Sequence, residues 1–131
     1  MTIPFYCIFF SMLMLLITKV PVALAMKHLG GYDNHHPRDQ QKKLEGWGNR
    51  ALAAHKNELE AFPLFAAGVF IAHLGNGDLR LAGYLSVAFV SARLLYMVFY
   101  LTDKDLLRSL VWGIGYGSSL VLALLPLFTG S

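Results

Sequence analysis

Polar and apolar positions in this chain are segregated on the scale of whole helices. Long apolar runs cover Pro4 to Met26, a second segment that begins within Arg50 to Phe65 and ends at Leu74, then Leu79 to Leu101 and Leu106 to Phe128. Runs of this length cross the ~30 Å hydrocarbon core of a bilayer as helices. The pattern predicts a single-domain all-α membrane protein over residues 1–131, with four transmembrane helices at about 4–28, 48–74, 79–101 and 106–128. Gly75-Asn76-Gly77-Asp78 and Thr102-Asp103-Lys104-Asp105 are tight connections, which predicts an up-down bundle. Residues 27–49 form the long polar stretch and read as a loop. Gly30-Gly31 closes the first helix, and Tyr32 to Arg38 carries turn chemistry without a helical period.

One stretch breaks the segregation. Between Arg50 and Phe65 a charged helical turn runs directly into membrane-grade apolar sequence, and Arg50, Asn57 and Glu60 follow one another at spacings of 7 and 3. At about 100° per residue the three share one helical side. The third segment repeats the device with Arg93, Tyr96 and Tyr100 at spacings of 3 and 7 from the arginine. Ionisable groups at bilayer depth avoid lipid and face a bundle interior or a cavity. An ion pair between Arg93 and Glu60 that only fixes helix packing is one account of these stripes. A binding site is the other, and Arg108 at the start of the fourth segment adds a further cation, so the excess of positive charge points to an anionic partner.

Composition agrees with the pattern: 56% hydrophobic residues against 15% charged exclude an ordinary soluble domain. Lys27, Arg38, Lys42, Lys43, Arg50 and Lys56 surround the first connection, and Lys104 and Arg108 the third, whereas the second has only Arg80. The positive-inside rule then places connections one and three in the cytoplasm and both termini on the other side. Topology accounts for the basic residues, and no nucleic-acid partner is expected. A single cysteine, Cys7, permits no internal disulfide. Adjacent His35 and His36 point apart, and His28, His55 and His73 are scattered, so no metal is expected. Gly113, Gly115 and Gly117 with Ser118-Ser119 suit close helix packing.

Taken together, three motifs in order resemble the MAPEG family, the membrane-associated proteins of eicosanoid and glutathione metabolism that include the microsomal glutathione transferases. They are Arg50-Ala51-x-x-Ala54-His55-x-Asn57-x-x-Glu60-x-Phe62-Pro63-Leu64-Phe65, then Ala92-Arg93-x-x-Tyr96-x-x-x-Tyr100-Leu101-Thr102, then Arg108-Ser109-Leu110 leading to Gly115-Tyr116-Gly117. Tyr32-Asp33-Asn34 with Pro37-Arg38 looks like the first loop of bacterial members.

The resemblance implies a homotrimer of four-helix protomers with glutathione as co-substrate, held between neighbouring protomers at the cytoplasmic end. Arg50, His55, Asn57, Glu60, Arg93, Tyr96 and Tyr100 would bind the tripeptide, and Arg108 would stabilise its thiolate. The implied activity is that of a glutathione transferase or peroxidase acting on hydrophobic electrophiles or lipid hydroperoxides drawn from the bilayer. Two positions depart from the glutathione-conjugating pattern: Ala53 stands where relatives carry an arginine, and Ala61 where several carry tyrosine. They favour the alternative of a non-catalytic lipid-binding or assembly protein. A short multi-pass chain without retention or sorting signals fits a bacterial inner membrane.

Overall fold

Five helices and no strand make up residues 1–130, the part of the chain that the computed structural model describes. They are α1 (Ile3–Lys27), α2 (Pro37–Gln41), α3 (Gly46–Leu74), α4 (Leu79–Leu101) and α5 (Asp105–Thr129). The four long helices correspond to the four expected segments and pack side by side, with α3 touching α1, α4 and α5. Helix α1 continues through Pro21 and ends before Gly30 and Gly31, whose φ angles of 100° and 112° no helix can accommodate.

Three of the long helices, α1, α4 and α5, are long and apolar enough to cross a membrane. Helix α3 was expected as a fourth. At 29 residues it has the length, about 43 Å, but its first half carries Arg50, Lys56, Glu58 and Glu60. That half holds the polar chemistry of the molecule, and this dilutes its apolar character.

The stretch expected as a plain loop contains the short helix α2, a correction with a local cause. Pro37 pre-sets the first helical φ, and the Asp33 carboxylate accepts from the backbone N–H groups of His35 and His36, both at 3.0 Å. Buried Gln40 then donates to the carbonyls of Met26 (3.2 Å) and Gly31 (2.7 Å) and accepts from the Asp33 N–H (2.9 Å). Five residues are too few to leave a periodic signature in sequence.

Alanine, serine and glycine share the centre of the bundle with larger side chains such as Met14, Phe65, Phe89 and Leu122, while Leu16, Leu74, Tyr84 and Leu127 point outward. Leucines on the outside follow from the solvent: lipid gives no hydrophobic reward for burying them, so close packing decides what lies inside. Phe65 of α3 and Phe89 of α4 stack at 4.0 Å between ring centroids, with Leu122 of α5 in the same core.

Only part of the small-residue segment of α5 makes a close helix approach. A Cβ on Gly113 or Gly117 would meet nothing within 4 Å, whereas one on Gly68 of α3 would lie 2.6 Å from the Ser119 carbonyl oxygen of α5. Gly68→Ala is therefore expected to destabilise the bundle by about 1–3 kcal/mol, because two backbones must separate. Thermal unfolding in detergent checks this, and an unchanged midpoint would show that α3 and α5 do not lock through this contact.

At the far end, Asn76 takes a left-handed φ of 58° and Asp78 caps α4 by accepting from the Leu81 N–H at 2.8 Å. The Thr129 hydroxyl accepts from the Asp78 N–H at 2.8 Å, tying the end of α5 to the start of α4.

Candidate functional site

Helix α3 presents Asn57, Ala61 and Leu64 toward α4 and α5, which is the side its i, i+4, i+7 spacing dictates. Opposite stand Phe89 and Arg93 of α4 and Trp112, Gly115, Tyr116 and Ser119 of α5, and a cavity of about 130 Å³ lies between them. Glu60, Leu64, Trp112 and Tyr116 are exposed, so the cavity opens on the outer, apolar surface of the bundle.

Arg93 is the centre of the arrangement. Its Nε donates to Glu58 Oε2 at 2.8 Å, with both side chains only 2% exposed. The partner is Glu58, in place of the Glu60 considered as an ion-pair partner from sequence. Residues two apart on a helix diverge by about 200°, so only one of the two carboxylates can face α4. Glu60 is exposed at the cavity rim.

The pair is incompletely satisfied. Arg93 Nη2, Glu58 Oε1 and Asn57 Oδ1 are buried without a hydrogen-bond partner. Buried polar atoms almost always find partners, so orphans grouped beside a cavity mark a place for an added polar group.

An aromatic ladder continues from Arg93 toward the α4–α5 connection. The Arg93 guanidinium carbon lies 4.2 Å from the Tyr96 ring centroid, Tyr96 meets Tyr100 edge-on at 5.6 Å, and Arg108 covers Tyr100 at 4.4 Å. Both arginines sit over electron-rich ring faces, which holds them in place without neutralising their charge. On the other wall, Trp112 and Tyr116, one turn apart, stack at 5.3 Å.

Asn57, Glu60 and Arg93 therefore share one cavity, and Tyr96, Tyr100 and Arg108 extend from it as the ladder. Arg50 begins the same stripe of α3, about 10 Å along the axis from Asn57, and its Nε is buried without a partner. His55 is not brought to this cavity. Its Nδ1 is hydrogen-bonded to Thr18 Oγ1 of α1 at 2.8 Å, and its ring faces a separate cavity with Lys19, Arg38, Lys42 and Lys56.

Sequence reasoning passed over Glu58 and Trp112. Glu58 left a signal: a second carboxylate in membrane-grade sequence requires a counter-cation. Choosing between positions 58 and 60 needed the rotational setting of α3 against α4. Trp112 carries no polar spacing that singles it out in an apolar segment.

Cations with free donors, an amide oxygen and an apolar mouth suit a ligand that is anionic at one end and meets a hydrophobic molecule at the other. Among known proteins, a family model described as the MAPEG family matches residues 3–128. No curated protein and no solved structure matches the chain.

Proposed function

The chain belongs to the MAPEG family and is an integral membrane protein, and from that premise we propose that it is a membrane-bound glutathione transferase or peroxidase. The observation that carries this reading is buried Arg93, whose Nη2 has no protein partner and which lines a cavity with Asn57. A carboxylate of glutathione fits the free edge of the Arg93 guanidinium, and Asn57 Oδ1 accepts from a peptide or amino N–H. Glu60 at the rim supplies a partner for the ammonium group. Tyr96 and Tyr100 border the peptide, and Arg108 stands where a guanidinium favours the thiolate over the thiol.

The thiolate then attacks an electrophilic carbon with loss of its leaving group, or the outer peroxide oxygen of a lipid hydroperoxide, which gives glutathione sulfenic acid and, with a proton from water, the alcohol; a second glutathione then converts the sulfenic acid to the disulfide with release of water. The hydrophobic acceptor enters from lipid past Leu64, Trp112 and Tyr116. The assembly proposed is a homotrimer in a bacterial inner membrane, with the site at the cytoplasmic end and both termini on the opposite side.

Calorimetry of glutathione with the detergent-purified protein tests the reading. Saturable binding is expected, weakened at least ~tenfold by Asn57→Ala, which removes a hydrogen-bonding oxygen without stranding a buried charge. Absence of binding by the folded wild-type protein would sink it. That outcome supports the second reading, a non-catalytic lipid-binding member. Its supporting observation is Ala61, which lines the cavity with a methyl group where a phenol would reach a ligand.

A further inference from the structure

A cavity of about 270 Å³ lies at the end of the bundle opposite Arg108, between the start of α1, the last turn of α3 and the α3–α4 turn. It shares no residue with the cavity at Asn57 and Arg93. His73 on its wall is 16 residues from Asn57, about 24 Å along the axis of α3.

The polarity of this cavity is graded with depth. Thr2, His73 and Asn76 stand at the rim, where α1 begins and α3 ends, whereas buried Val69, Ala72 and Ala82 form the inner wall. Val69 lies five residues before the end of α3, about 7.5 Å deeper. One side is aromatic: Phe5 meets the His73 ring edge-on at 4.9 Å between centroids and Phe70 at 6.0 Å. No Asp, Glu, Lys or Arg is among the described lining residues. The Thr2 hydroxyl is not spent on capping α1. The floor is also fixed in advance. Asn76 holds a left-handed φ of 58°, the Gly77 N–H donates to the Ala72 carbonyl at 2.8 Å, and a Cβ on Gly77 would lie 3.0 Å from Leu125 Cβ of α5. A rim held by packed backbone loses little freedom when a ligand arrives.

We propose that this cavity binds the head of a membrane quinone, a neutral ring whose carbonyl oxygens accept from Thr2, His73 and Asn76 and whose body lies against Phe5. Each of these three side chains can donate a hydrogen bond, so the rim suits a ligand rich in acceptors. The aromatic side selects a ring over an acyl chain. A carboxylate or phosphate entering here would lose hydration without gaining a lysine or arginine, which selects against fatty acids and phospholipid headgroups. Such a ligand ties the start of α1 to the α3–α4 turn, and at this distance from Arg93 it is not the acceptor of the thiol site.

Photolabelling of the detergent-purified chain with a short-tailed azidobenzoquinone, mapped by peptide mass spectrometry, tests the proposal. Saturable label is expected on Thr2–Phe5 and on His73–Leu79, and decylbenzoquinone is expected to compete at least ~tenfold more tightly than decanol or decanoic acid. His73→Phe with Asn76→Gly removes two donors while keeping the aromatic contact with Phe5 and the left-handed turn. This double variant is expected to weaken labelling at least ~tenfold with an unchanged unfolding midpoint. Thr2→Val is expected to weaken it a few-fold and carries the test should the double variant unfold. Label that does not saturate or that maps elsewhere, or labelling untouched in the folded variants, would overturn the proposal. Competition by decanol as tight as that by the quinone would make the cavity an acyl-chain groove instead, and competition by decanoic acid would make it an anion site. Loss of label in Asn57→Ala would assign it to the thiol-binding cavity. The proposal does not rest on glutathione binding at Asn57, so each can fail alone.

Discussion

Glu58→Ala is expected to lower the stability of the bundle by about 3–5 kcal/mol. Arg93 is 2% exposed, and among the described residues its hydrogen-bonded counter-charge is the Glu58 carboxylate at 2.8 Å. Without that carboxylate a guanidinium remains in a low-dielectric interior, held only by the face of Tyr96. The loss is expected as a lower unfolding midpoint in detergent, read by circular dichroism. Arg93→Ala should cost a similar amount by stranding the carboxylate. Replacing both residues by apolar ones of similar volume, as Glu58→Leu with Arg93→Met, is expected to restore most of the stability, because two desolvation costs vanish together. That double variant is also informative about binding: folded but lacking the guanidinium, it should not bind glutathione. A Glu58→Ala protein as stable as wild type would show that the pair is not buried in the membrane-embedded molecule.

Arg108→Ala is expected to reduce turnover with a hydrophobic electrophile by on the order of 10²-fold, the scale typical of removing one group that stabilises developing anionic charge. Its structural cost should be small. Arg108 is half-buried and rests on Tyr100 at 4.4 Å, an arrangement worth about 0.5–1 kcal/mol at an exposed site. Glutathione affinity should change only a few-fold, which separates this variant from Asn57→Ala, where affinity is lost first. Single-turnover kinetics with the thiolate followed by its ultraviolet absorbance provides the check. Thiolate formation undiminished in Arg108→Ala would remove this residue from the chemistry.

The long helices were legible because lipid writes its requirement directly into composition. Apolar runs of membrane length mark α1, α4 and α5, and the turns at Gly75–Asp78 and Thr102–Asp105 separate α3, α4 and α5, whereas α3 carries charge through its first half. The short helix α2 was not legible. It forms through hydrogen bonds of Asp33 and Gln40, partners that are distant in pattern and close only after the chain has turned. The small residues of α5 were legible as a packing surface only in part: Gly115 and Ser119 meet neighbours, and Gly113 and Gly117 do not. Small residues permit close approach, but which of them meets a neighbour depends on how α5 is rotated, and the tight contact falls on Gly68 of α3.

The candidate site divides in the same way. Sequence by itself determined that Arg50, Asn57 and Glu60 lie on one side of a helix, that Arg93, Tyr96 and Tyr100 do likewise, and that the two stripes belong to one end of a bundle, because helical periodicity and charge asymmetry are local properties. Only the tertiary structure decided that Arg93 pairs with Glu58, that Glu60 is left at the rim, and that His55 turns away to Thr18 and the separate cavity beside it. Side chains two apart diverge by about 200°, so the fate of each depends on the rotation of α3 against three neighbours at once. That rotation is a property of the packed bundle, set by contacts such as Gly68 with Ser119 and Phe65 with Phe89.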